Sequence, residues 1–160
     1  MSRLLLLFAV LSLSAAPAQA QSKEQWIELG TRIHGGFGML IPIGIRVGLD
    51  AVQRLKPEPR SLSVTFYSGE RAPCPCIADG VMIATATSPG QGSLQIASEK
   101  APDGAFAVII IRNRKNGETL RYSIAGEWGP KIVEWNRTLD PAGRYDAAMA
   151  ADRLFEVRPE

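Results

Sequence analysis

The chain is poor in the residues that usually do chemistry. It has one histidine, His34, and two cysteines, Cys74 and Cys76, in 160 residues. No nucleophile, base and orienting group can be assembled from a single histidine, so a hydrolase reading has no support. Basic runs are missing too, and the formal net charge is only +2. With its arginines spread along the chain, the protein lacks the footprint of nucleic-acid binding. There is no acidic tail, low-complexity tract or internal repeat. Beyond residue 20, no stretch is long and apolar enough to span a membrane; the run Phe106 to Ile111 has only the length of a strand.

What is present begins with an export signal. Arg3 gives a short positive start, Leu4 to Leu13 is an apolar run, and Ala18-Gln19-Ala20 has the small-x-small form of a cleavage site. The run falls short of the ~20 residues a transmembrane helix needs. The expected protein is therefore secreted, in a bacterial periplasm, and starts at Gln21 with no membrane span left. Residues 21–160 then form one domain of ordinary size. With 46% hydrophobic residues, it can bury a core without relying on disulfides.

Periodicity predicts helices first and strands later. Trp26, Leu29 and Ile33 mark an amphipathic helix over 21–33, ended by His34-Gly35-Gly36. A second helix begins around Ile41-Pro42, runs through Leu55 and ends at Pro57. Ser61 to Ser68 alternates as a strand. Cys76 to Ala86 reads as a short helix with Gly80 as its weak point, followed by the turn Ser88 to Ser93. Strands are expected at 93–97, 106–113 and 118–125, the last two joined by a hairpin at Asn116-Gly117. Helices follow at 130–137 and 145–156. Around the first of these, Trp128, Ile132 and Trp135 fall on one helical face and read as core. The fold class is α+β: a single domain with an antiparallel or mixed sheet packed by helices.

Two segments carry the chemistry: Ile33 to Ala51 and Cys74 to Ile96. Together they resemble the core of the formylmethanofuran dehydrogenase E-subunit family, which has a His-Gly element leading into a helix with Gly-x-Arg. A Cys-x-x-Asp element and a glycine-rich turn before a strand come later. His34, Gly35, Gly44 and Arg46 match the first pattern; Cys76, Asp79, Gly90, Gly92 and Leu94 match the second. The resemblance implies a shared pocket in which His34 and Cys76 face each other. The sequence departs from the family pattern at Gly36, where a second His is common, and at Gly38 and Thr87, where cysteines stand. The cysteine-rich zinc module of some members is also missing, since no cysteine follows Cys76. The family takes its name from a C1-metabolism complex with reduced cytosolic partners, so an exported relative is not expected to be part of that complex.

Cys76 at a helix start would have its thiolate favoured by the helix dipole. Asp79, one turn on, opposes a thiolate but welcomes a cation. Cys, His and Asp are all usable ligands for a divalent metal such as zinc. Cys74 and Cys76 could instead form a disulfide in an oxidising compartment, and a bridge across one residue is more easily reduced than a structural one. Asp79 could simply cap its helix. Arg46 could meet a buried carboxylate or snorkel to water. The leading expectation is a protein that binds a metal ion or small molecule through His34, Cys76 and Asp79, with Cys74 beside them. A thiol–disulfide or metal-dependent enzyme using Cys74 and Cys76, and an interaction module with a decayed site, are the alternatives. Catalysis is not required by the first, and a homo-oligomer stays open.

Overall fold

The computed structural model describes residues 21–160, so the expected signal segment lies outside the described residues. Helix α1 spans Lys23–His34. It starts where Ser22 and Gln25 form a reciprocal capping box, the Ser22 hydroxyl accepting the Gln25 N–H and Gln25 accepting that of Ser22. It stops at Gly35, whose φ of 85° is open to glycine and which returns its N–H to Thr31. Its buried side is narrower than the spacing predicts. Trp26 is buried and Ile33 is exposed, and the helix packs closely at Gly30, where an added Cβ would meet the ring of Phe37.

Helix α2, Leu40–Leu55, is apolar almost all round at its start: Ile41, Ile43, Ile45 and Val47 are all inaccessible to solvent. Strand β1 (Leu62–Ser68) follows, then helix α3 (Ile77–Thr85), a 3-10 turn at Pro89–Gln91 and strand β2 (Leu94–Ile96). Strands β3 (Ala107–Asn113) and β4 (Thr119–Ile124) form the expected hairpin. Its loop runs through the four residues 114–117, as the expected strand ends imply. Asn113 pairs with Glu118, and Gly117, at φ 82°, donates to the Asn113 carbonyl. Helix α4 spans Trp128–Thr138 and helix α5 spans Pro141–Ala150.

The sheet order is β2-β1-β3-β4-β5, with β5 at Glu156–Pro159; β1 and β2 are parallel and every other pair is antiparallel. The fold is thus α+β with a mixed sheet. Period-2 alternation sends Leu62, Val64 and Phe66 of β1, Ile109 and Ile111 of β3, and Tyr122 and Ile124 of β4 to one face. There they form one cluster with Ile43, Val47 and Ala51 of α2 and Ile77, Ala78 and Val81 of α3. Each such fully buried large side chain contributes about 1.5–3 kcal/mol over its exposed form. A second cluster of Trp26, Phe37, Ile41 and Ile45 packs against Tyr145 and Met149, tying α1 and α2 to α5.

Three expectations change. Gly80 is not a weak point of α3 but the place where α3 meets α2. A Cβ on Gly44 would sit 2.8 Å from the Gly80 Cα, and a Cβ on Gly80 would sit 2.8 Å from the Gly44 Cα. The last helix begins earlier and ends earlier than its small-residue pattern suggests. Asp140 accepts the Gly143 N–H and Pro141 occupies the first turn, while Glu156–Pro159, whose first residue was expected to end that helix, becomes edge strand β5 paired with β4. Arg46 neither meets a buried carboxylate nor snorkels. Its guanidinium donates to the carbonyls of Ala148 and Ala151, both at 2.6 Å, and lies over the Phe155 ring. It closes the C-terminal end of α5, where a cation suits the exposed carbonyls.

Candidate functional site

The glycine crossing sets the site. Because α2 and α3 touch backbone to backbone at Gly44 and Gly80, the N-terminus of α3 is held against the first turns of α2. Cys76 is the N-cap residue of α3, with no side-chain capping bond. His34 is the last residue of α1, and Gly35 turns the chain there toward Phe37 and α2. The His34 Nδ1 lies 2.7 Å from Asp79 Oδ2. An ionised carboxylate only accepts, so against one Nδ1 donates, and in the neutral ring Nε2 is then the acceptor. Asp79 therefore does not cap its own helix. The first-turn N–H groups of Ala78 and Asp79 go to the carbonyls of Pro75 and Cys76.

Cys74 and Cys76 are joined in a disulfide, with Cα atoms 5.3 Å apart. Of the open alternatives for the pair, the bridge is the one present, and no free cysteine remains. Both half-buried residues line a cavity of about 250 Å³ together with His34. Residues 34 and 76 thus come to one place. Asp79 stands behind His34 and is not part of the lining.

Most of the wall is apolar: Met39, Leu40 and Ile41 of the α2 start, Pro73, Phe106, and Ile132 and Val133 of α4. Gly38 and Asn136 complete it. Asn136 Oδ1 accepts the Met39 N–H at 2.8 Å, linking α4 to the start of α2. Arg144 braces the same corner, donating to the carbonyls of Phe37 and Asn136. Sequence reasoning missed Phe106, Ile132, Val133 and Asn136 as site residues. No motif marks them, and only the fold carries α4 to a wall about a hundred positions from His34.

The donor set does not suit a metal while the bridge is closed. In the disulfide the sulfurs are not thiolates, and it is the thiolate that ligates. His34 and Asp79 are bonded to each other. Among the described residues, no three His, Cys, Asp or Glu side chains come together as a metal cluster. The oxidised site therefore does not fit zinc. The departures at glycine have a matching consequence: a Cβ on Gly38 would meet only Asn136 Oδ1, at 3.4 Å, and one on Gly36 would meet nothing within 4 Å. Thr87 is buried, its hydroxyl paired with that of Thr85 at 2.9 Å. Among the described residues, no helix is long and apolar enough to cross a membrane.

A family model described as FmdE, Molybdenum formylmethanofuran dehydrogenase operon, matches residues 33–156. That span contains every residue lining the cavity, both cysteines, and the Asp79 that holds His34. No curated protein matches the chain.

Proposed function

The chain belongs to the FmdE family, and from that premise we propose that it is an exported binding protein for a small, mostly apolar molecule with one hydrogen-bonding group. On this reading it is cleaved after Ala20 and is not itself a formylmethanofuran dehydrogenase. One observation carries the proposal: an apolar cavity with a carboxylate-held imidazole and a disulfide in its wall. Apolar walls with a few convergent polar groups are the usual make-up of a ligand site. At about 250 Å³ the cavity lies below the roughly 300–1,000 Å³ typical of drug-sized ligands, so the ligand is small. The His34 Nε2 accepts from a hydroxyl or thiol when neutral and donates to a carboxylate when protonated.

Isothermal titration of residues 21–160 with benzyl alcohol and with phenylacetate tests this. Binding with Kd below about 1 mM is expected for at least one, and Ile132→Trp, which fills the cavity, should remove it. Silence from both ligands, or binding that survives Ile132→Trp, overturns the reading.

The two cysteines that line the cavity with His34 favour a second reading, in which the reduced protein holds a divalent metal such as zinc. Reduction would release two thiolate donors. With so few protein ligands, the metal would be completed by water and easily stripped. Elemental analysis after anaerobic reduction should find zinc that a chelator removes and that the oxidised protein lacks. Equal zinc in both forms refutes it.

A further inference from the structure

We infer that Cys74–Cys76 is an exchange-active disulfide whose partners are small apolar thiols admitted by the cavity. The inference rests on the ligand reading above and gives that ligand its chemical class. The bridge is poorly placed to be a staple. It encloses only Pro75, and the stabilisation a disulfide gives by restricting the unfolded chain is smallest for the shortest loops. The core is built without it, from the sheet face and α2. Its two residues instead line a cavity. Among the described residues, His34 is the only titratable side chain lining that cavity apart from the two cysteines.

The two sulfurs are not equivalent. Cys76 caps the nine-residue helix α3, whose N-terminal dipole stabilises a thiolate. Cys74 lies in the preceding loop. The better leaving thiolate departs faster, so attack falls on Cys74 and Cys76 leaves. An incoming thiol RSH gives its proton to His34 Nε2, and the resulting imidazolium is held by Asp79. The thiolate RS⁻ attacks Cys74 Sγ. The RS–Sγ bond forms, the Sγ–Sγ bond breaks, and the electron pair leaves on Cys76, which takes the proton from His34. A second RSH loses its proton the same way and attacks the RS sulfur of the mixed disulfide. RSSR departs and Cys74 leaves as a thiolate that is protonated in turn. Two RSH are oxidised to RSSR while the bridge is reduced to two thiols. The reverse reaction with RSSR restores it, so no other oxidant is needed.

The test follows the gain of two hydrogens by mass spectrometry in residues 21–160 treated with benzyl mercaptan or with cysteine, at equal thiolate concentration. The native protein should be reduced roughly tenfold faster by benzyl mercaptan, and this preference should vanish in urea. Benzyl alcohol should slow the reaction by occupying the cavity. His34→Gln should slow it about tenfold or more at neutral pH, within the range of a positioned proton acceptor, and leave a rate that simply follows the thiolate fraction of the probe. Native and unfolded chains reacting alike, or fast reduction indifferent to benzyl alcohol, overturns the inference. If benzyl alcohol binds by calorimetry and the thiols show no preference, the exchange falls and the binding reading stands. If neither benzyl alcohol nor phenylacetate binds, the binding reading fails on its own measurement.

Discussion

The seam between α2 and α3 and the wall formed by α4 border the same cavity and are built in opposite ways. At the seam, Gly44 and Gly48 of α2, one turn apart, face Gly80 and Ala84 of α3, also one turn apart; a Cβ on Gly48 would lie 2.6 Å from the Ala84 Cβ. Backbones touch, and no rotamer can adjust. Helix α4 has only Ile132 buried among its residues, exposes Val133 to 60%, and is tied down by Asn136 and Arg144. Cys76 and Asp79 ride on the stiff seam, while Ile132 and Val133 bring part of the apolar wall in on the thinly anchored helix. A cavity with one rigid and one yielding side can hold its reactive groups in place and still admit a ligand.

The seam can be broken with one methyl group. Gly→Ala inside a helix ordinarily stabilises by about 1 kcal/mol. At Gly44 or Gly80 the sign should reverse, because the new Cβ meets backbone rather than a side chain that can turn away. Gly44→Ala should cost about 3 kcal/mol or more by urea unfolding, at the upper end of overpacking, and should displace Cys76 from His34. A neutral or stabilising result would mean the crossing is looser than the geometry shows. On the other wall, Ile132→Ala should cost less, about 2 kcal/mol, the low end for a buried aliphatic. Helix α4 can relax around a smaller side chain. The His34–Asp79 bond should survive, which the His34 imidazole signals in an NMR spectrum would report. An Ile132→Ala loss larger than that of Gly44→Ala would invert the comparison.

The same contrast explains what is legible in the sequence. The apolar run of α2, the alternation of β1 and β3, and the Asn116-Gly117 turn are local patterns, and each appears close to where periodicity puts it. His34, Cys76 and Asp79 are readable because two ordered motifs resemble those of a family, to which residues 33–156 belong. The seam is in view and easily misjudged: Gly80 looks like a flaw in a helix until Gly44 is set against it. Strand β5 is not readable, since Glu156-Val157-Arg158-Pro159 is charged and short. It is a strand because β4 offers it an unpaired edge. The α4 wall is unreadable for a related reason: a polar Asn136 at a helix end acquires its task only when Met39 arrives opposite it.

A half-buried tie on the rigid side gives a smaller, pH-dependent effect. The Tyr122 hydroxyl of β4 donates to Asp50 of α2 at 2.7 Å, and Arg54 donates to the same oxygen. Burial, and then the bond to Asp50, push the Tyr122 phenol well above its ordinary range. The raised folded-state value means that its stabilisation is complete below the unfolded pKa of about 10 and is lost as pH rises toward the folded value. Tyr122→Phe should cost about 1 kcal/mol near neutral pH. The gap between the two proteins should narrow above about pH 10, as followed by urea melts across pH. A gap that widens there would mean the phenol ionises more readily in the folded state.

The smallest effect is expected where a covalent bond is removed. Cys74→Ser with Cys76→Ser deletes the only disulfide in the chain, and loss of a native disulfide from a small secreted domain commonly costs about 2–5 kcal/mol. Here the loop holds one residue, so restricting the unfolded chain yields little, and the cysteines pack only at the edge of clusters filled by other side chains. The double variant should lose under about 1 kcal/mol, near the ordinary range for sites away from the core. Its His34–Asp79 bond and its affinity for benzyl alcohol should remain. Reducing the native protein should give the same small loss, measured by urea unfolding with and without a dithiol. A loss of several kcal/mol in both experiments would make the bridge a structural brace. It would move Cys74–Cys76 to the rigid side of the comparison and leave the exchange chemistry without a mobile disulfide.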